Sequence, residues 1–207
     1  MQQRGRLIVF EGIDGAGKTT QIELLTRRLQ EAGRRVHRTA EPTESVSGGL
    51  LRDALSGVSK RTPTELAALF VLDRIFHNTN PVSGIEAMLA QGIDVICDRY
   101  YYSSLAYQGS ETDAQWVRDM NLNCPDIRRP DICIFLDLTP AQSMERIGKG
   151  RVTVEIYENE ERLTRVREQF FRVLDSLKDR DRICVVNAAR PVEIIHEEIA
   201  SLVETVI

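Results

Sequence analysis

Short apolar runs alternate along the chain with longer stretches in which apolar residues recur every three or four positions. Leu7 to Phe10 is a β-rich run ending at Glu11, and from Lys18 to Ala32 the residues Ile22, Leu25 and Leu29 share one helix face. Four more strand-like runs follow, Arg35 to Thr39, Ile93 to Cys97, Ile132 to Leu136 and Ile183 to Val186, with helical patterns between them. Buried strands that alternate with helices predict an α/β fold in three layers, a five-stranded parallel sheet with helices on both faces.

The helix boundaries are written in the same pattern. Thr62-Pro63-Thr64-Glu65 and Thr139-Pro140-Ala141-Gln142 each place a threonine cap, a proline at the first helical position and an acid or amide at the third. Gly48-Gly49 and Gly148-Lys149-Gly150 are expected to be flexible connections. From Glu155 to Asp181 charges are dense, with Leu163, Val166, Phe170, Val173, Leu174 and Leu177 at helical spacing beneath them, the pattern of a solvated helix face. No repeat or linker divides the chain, so residues 1–207 are expected to form one domain.

Composition narrows the partners. With 42% hydrophobic and 28% charged residues the chain is neither disordered nor fibrous. No run approaches the roughly 20 apolar residues of a membrane span, and Met1 to Arg6 lead into no signal-like hydrophobic block. A cytoplasmic protein without a membrane partner is expected. The net charge of −4 weighs against a nucleic-acid partner, so an anionic ligand must be met by a local basic site. Cys97, Cys124, Cys133 and Cys184 form no C-x-x-C pair and are read as buried thiols.

That basic site is visible. Gly12-Ile13-Asp14-Gly15-Ala16-Gly17-Lys18-Thr19 fits the phosphate-binding loop G-x-x-x-x-G-K-[ST], directly after a predicted strand and opening a predicted helix. The glycines let backbone N–H groups and the helix N-terminus face a polyphosphate. Lys18 reaches its β and γ phosphates, and the Thr19 hydroxyl is placed to ligate Mg²⁺. The fold expected is therefore that of the P-loop NTPases. A second element, Asp98-Arg99-Tyr100, follows the strand Ile93 to Cys97, at the sheet edge where α/β ligands bind. An acid there can hold a metal-bound water, and an arginine beside it can brace a transferred phosphoryl group.

Taken together, Phe10 to Gln21, Phe70-x-x-x-Arg74, and Asp98-Arg99-Tyr100 with Ser103-Ser104 and Ala106-Tyr107-Gln108-Gly109 resemble the motifs of the thymidylate kinases, over nearly the whole chain. The resemblance implies transfer of the γ-phosphoryl group of Mg-ATP to dTMP, giving dTDP on the route to dTTP, by a homodimer with a lid over the ATP at about 148–158. ATP would meet Gly12 through Thr20, including Ile13, Asp14, Gly15, Ala16, Gly17, Lys18 and Thr19, and would meet Asn187 at the end of the last strand. Thr19 and Asp98 would serve the metal. Lys18, Asp98 and Arg99 would serve the transfer.

For dTMP, the resemblance implies that Phe70 stacks on the thymine ring and Arg74 donates to a base carbonyl. Arg52 would take the phosphate beside the loop Glu41-Pro42. Tyr107 would leave little room for a 2′-hydroxyl, Asp14 would lie near the sugar and metal, and Ser103, Ser104, Gln108 and Arg99 would complete the acceptor side. Bland alternatives stand beside these roles: Phe70 as core with Leu66, Leu69 and Leu72, Arg52 as a surface arginine, Tyr107 as a half-buried helix tyrosine, Asn187 as an ordinary polar strand end. One methyl in an apolar pocket is worth about 1–3 kcal/mol, so dTMP over dUMP should be a preference.

Two positions depart from the family pattern. With Gly15 in the loop, the family draws its catalytic cation from an acid-Arg-x-Glu signature in the lid, but here that stretch reads Glu155-Ile156-Tyr157-Glu158. Among the nearest cations, Arg146, Lys149 and Arg151, the lid residue Arg151 or Lys149 is expected to replace the arginine. The other departure is Ala40, where many members carry Arg before the Glu-Pro. Two alternative functions follow: a nucleotide-binding paralogue with weak or no turnover, or a kinase of another pyrimidine monophosphate or a deoxynucleoside.

Overall fold

The computed structural model describes residues 4–150 and 160–207. Strand β1 (Leu7–Glu11) leads into helix α1 (Lys18–Glu31), followed by β2 (Val36–Ala40), α2 (Val46–Leu55), α3 (Pro63–Thr79) and α4 (Ile85–Ala90). Then come β3 (Asp94–Asp98), α5 (Tyr101–Glu111), α6 (Ala114–Leu122), β4 (Ile132–Asp137), α7 (Pro140–Gly150), α8 (Glu160–Leu177), β5 (Ile183–Asn187) and α9 (Val192–Glu204). The five strands form one sheet in the order β2-β3-β1-β4-β5, and every pairing is parallel. All five expected strands are present, displaced by at most a residue.

β1, at the centre, is buried along its whole length, because Leu7 and Val9 face one helical layer and Ile8 and Phe10 the other. α3, α5 and α8 cover the first face, and α1 and α9 the second. The chain moves from β3, on one side of β1, to β4 on the other, and such reversals place the binding crevice at the carboxyl end of the central strands. α8 buries Leu163, Val166, Phe170, Leu174 and Leu177 beneath its charged face, with Val173 partly covered.

Some expectations need correction. Gly48 and Gly49 lie inside α2 and are not a connection. A Cβ on Gly48 would stand 1.8 Å from the Thr43 carbonyl oxygen, so glycine is here a requirement of close approach that outweighs its poor helix propensity. Gly148 to Gly150 likewise form the end of α7, where the turn of the helix continues. Cys97 and Cys133 are buried, whereas Cys184, on the edge strand, and Cys124 are only half-buried.

Thr62 caps α3 as its sequence predicts: its hydroxyl accepts from Glu65 N at 3.2 Å, while Glu65 returns a bond from Thr62 N at 2.7 Å. Thr62→Ala is expected to cost about 1 kcal/mol, which for a chain of this size lowers Tm by roughly 2–4 °C in a thermal melt.

Candidate active site

The site begins where β1 ends. Gly12 and Gly17 have φ of 143° and 93°, in the region L side chains rarely enter, and a Cβ on Gly12 would lie 2.7 Å from the Leu136 carbonyl oxygen. The loop thus turns back over the sheet and presents the N-terminus of α1 to the cavity. Lys18 Nζ donates to the carbonyls of Gly12 and Ile13 at 3.1 and 3.4 Å, which holds the ammonium over the loop. Burial lowers its pKa, and the neighbouring Arg99 adds to the effect. From α7, the buried Ser143 donates to the Asp14 carbonyl and braces the loop from outside.

β3 supplies the next residues. In an extended strand Asp98 and Arg99 would point to opposite faces, yet both line the same cavity. The alternation is broken by Arg99, which has φ of 68° and is fixed by its N–H to the Phe10 carbonyl at 2.9 Å. That conformation costs about 1–3 kcal/mol and marks a functional constraint. The Arg99 guanidinium donates to Asp14 at 2.5 Å and to Ser103 Oγ at 3.1 Å, and lies 5.6 Å from the centre of the Tyr107 ring. Burial opposes its charge, but Asp14, Tyr107, Asp98 and Glu11 together outweigh burial and raise its pKa.

Glu11 stands behind this pair. Its fully buried carboxylate accepts from Tyr100 N at 2.8 Å, from Ser103 N at 3.1 Å and from Ser103 Oγ at 2.7 Å, so it caps α5 from the neighbouring strand. Burial raises its pKa, against the pull of Arg99 and of the hydrogen bonds from Ser103 and Tyr100.

α3 forms the opposite wall, where Phe70 and Arg74 lie one turn apart and both line the cavity. Phe70 also packs on the Leu51, Ala54 and Leu66 cluster, while Leu72 is 54% exposed, so these residues do not form a single core face. Arg74, 1% exposed, is largely spent on the protein. Its Nε and Nη2 donate to Glu41 at 2.8 and 2.6 Å, and its Nη1 donates to Ser104 Oγ at 3.1 Å and to Asn121 Oδ1. Of five donors, one on Nη2 is left to face the cavity. Ser104 therefore lies behind Arg74, outside the cavity lining, whereas Ser103, Tyr107 and Gln108 belong to it. Glu41 also pairs with His77 Nδ1 at 3.0 Å. Arg52 lines the cavity and donates to the Thr43 carbonyl at 2.5 Å.

The cavity has a volume of about 1140 Å³, above the ~300–1,000 Å³ usual for one small ligand, and it runs from Arg52 and Phe70 across the loop to Arg190, Val192 and Ile195. Asp14 to Thr20, Glu41, Pro42, Asp98 and Arg99 share it; Gly12 and Ile13 lie beneath it. Asn187 does not reach it. Its Oδ1 accepts from Ala189 N at 2.9 Å, closing the turn after β5, and it is Arg190, three residues on, that enters the lining with Arg146 of α7. Arg151, Ile156 and most of the expected lid at 148–158 lie outside the described residues, as does the Lys149 side chain.

A divalent cation fits this edge. Asp98 Oδ1 is buried with no hydrogen-bond partner among the described residues and Thr19 lines the same cavity, a sparse oxygen set of the kind Mg²⁺ accepts when phosphates and water complete its shell.

The family model for Thymidylate kinase matches residues 10–199. The chain belongs to the thymidylate kinase family. It is 37% identical over 207 residues, 97% of each chain, to the Pyrococcus horikoshii protein named "Probable thymidylate kinase". Proteins of the same name from Methanothermobacter thermautotrophicus and Thermococcus gammatolerans are 40% and 36% identical, over 93% and 97% of this chain. As in the resemblance read from the sequence, the family membership extends across both walls of the cavity. Asn121, Ser143 and Arg190 carry no motif and are reached only through folding, whereas Arg146 is among the cations nearest the lid in the sequence and lines the cavity. Asp73 and His77 had a local signal, flanking Arg74 on the same helix.

Because the Glu11 carboxyl has its folded value raised above the unfolded one, its contribution is fully favourable below the ordinary glutamate value of about 4.3 and is lost as pH rises through the folded value. The stability difference between the native protein and Glu11→Gln should therefore fall over that window. Urea midpoints measured for both at a series of pH values check it, and parallel profiles would refute it.

Proposed function

We propose that the protein transfers the γ-phosphoryl group of ATP to dTMP, giving dTDP and ADP. The observation that carries this reading is one continuous cavity with a phosphate loop at its centre, Phe70 and Arg74 on one wall and Arg99 between. Family membership supports it. The loop N–H groups and Lys18 bind the triphosphate, and Arg99, held by Asp14, is the charge that braces the group in transfer. Phe70 offers a flat apolar face to the base, and the remaining Arg74 N–H meets a base carbonyl. Tyr107 packs beneath the sugar, with Gln108 and Ser103 beside it; Arg52, Glu41 and Pro42 frame the acceptor phosphate.

Thr19 and Asp98 would hold Mg²⁺, whose charge would offset that of the phosphates. The adenine end is assigned to Arg146, Arg190 and Val192, in place of Asn187. Arg151 in the lid at 148–158 is assigned as the further cation on sequence grounds, with residues 1–207 acting as one kinase unit in the cytoplasm. No described helix is long and apolar enough to cross a membrane.

Purified protein with Mg-ATP should form ADP strongly with dTMP, more weakly with dUMP and not with dGMP. Lys18→Ala should lower kcat by about 10² or more. Tight binding of both nucleotides with no turnover on any acceptor would instead identify a non-catalytic paralogue.

The homodimer has a candidate face in Leu50 of α2 with Leu72 and Phe76 of α3, one turn apart, exposed by 40%, 54% and 43%. A second copy of the chain seated there would cover them. Leu72→Glu with Phe76→Glu should yield a monomer by sedimentation if so; an unchanged mass would place any interface elsewhere.

A further inference from the structure

The nucleotide chemistry leaves one buried charge unexplained. Asp73 of α3 is 1% exposed, and no arginine or lysine pairs with it among the described residues. Its carboxylate instead accepts four hydrogen bonds from the loop between β2 and α2 and from the first turn of α2: Thr43 N at 2.8 Å, Thr43 Oγ1 at 2.6 Å, Ser45 Oγ at 2.9 Å and Ser47 Oγ at 2.7 Å. Burial works to raise its pKa, but the bonds from Thr43, Ser47 and Ser45 hold it below the ordinary aspartate value. A buried carboxylate satisfied only by neutral donors is costly to assemble, and all four donors lie between Thr43 and Ser47, at the entry to α2.

What that loop carries is Arg52. The Thr43 carbonyl accepts the Arg52 guanidinium at 2.5 Å. The same carbonyl is pressed against Gly48, and Ser45 caps α2 by accepting from Gly48 N at 3.2 Å, so the loop and the first turn of α2 cannot shift separately. Asp73 therefore sets Thr43, and Thr43 sets where the Arg52 guanidinium stands at the cavity. The adjacent Arg74 holds Glu41, two residues earlier, and itself faces the cavity.

We propose that Asp73 is a positioning residue for the acceptor phosphate: through Thr43 it fixes Arg52 of α2 relative to the base-binding pair Phe70 and Arg74 of α3. The inference rests on the assignment of Arg52 to that phosphate.

Equilibrium binding of dTMP and of thymidine, which lacks the phosphate, separates this role from a merely structural one. Arg52→Ala should weaken dTMP roughly tenfold and leave thymidine within about twofold. Asp73→Asn should weaken dTMP by about three- to tenfold, leave thymidine alike, and raise the KM for dTMP with kcat little changed. Combined with Arg52→Ala it should add nothing, because both act through one contact. Equal loss of dTMP and thymidine in Asp73→Asn, or additive effects in the double variant, would overturn the proposal. If Arg52→Ala leaves dTMP binding intact, the Arg52 assignment fails and the proposal with it. If Arg52→Ala weakens dTMP and Asp73→Asn does not, only the proposal fails. Should Asp73→Asn not fold, Ser47→Ala removes one of the four bonds and should shift dTMP alone, by about twofold; a shift of both ligands, or of neither, would count against it.

Discussion

At the end of the central strand, the Glu11 carboxylate ties the phosphate loop to α5, the helix that brings Ser103, Tyr107 and Gln108 to the cavity. Its two oxygens take up Tyr100 N, Ser103 N and the Ser103 hydroxyl at the start of α5, where the Tyr100 N–H would otherwise be left to the interior. The residue that follows Glu11 begins the turn of the loop, and the residue between Asp98 and Tyr100 is the strained Arg99. One buried anion thus holds two turns in register, and the Arg99 guanidinium is set by both. The expense of the left-handed Arg99 is met by packing and hydrogen bonds that an isolated peptide would lack.

The other wall follows the same physics with the charges reversed. Arg74 is a cation buried among Glu41, Ser104 and Asn121, which come from β2's following loop, from α5 and from α6. Breaking such a pair on one side strands a charge, so these three segments have one arrangement in common. Preorganisation of this kind has a catalytic use, since groups already fixed by the protein need not be reordered when a nucleotide arrives.

Much of the fold was legible because its signals are local. Gly12 to Thr19, bracketed by an apolar run and an amphipathic stretch, specify a strand, a loop and a helix within 25 residues, and Thr62-Pro63-Thr64-Glu65 writes a capping box in four. Gly48 and Gly49 misled for the complementary reason: glycine reads as a break until the Thr43 carbonyl that forbids a Cβ is brought beside it. Asn187 carries no such signal, since a polar residue at a strand end looks the same whether it faces a ligand or closes its own turn.

By itself, then, the order of residues determined the five strands, the phosphate loop, the helix caps and the family, because periodicity, turn chemistry and contiguous motifs act over a few positions. Only tertiary structure decided that Ser104 backs Arg74 from outside the cavity, that Arg190 enters where Asn187 does not, and that Asp73 grips the loop holding Arg52. The first and last of these depend on side chains 30 or more residues apart meeting out of water, and long-range hydrogen bonds between buried polar groups leave no period in the sequence.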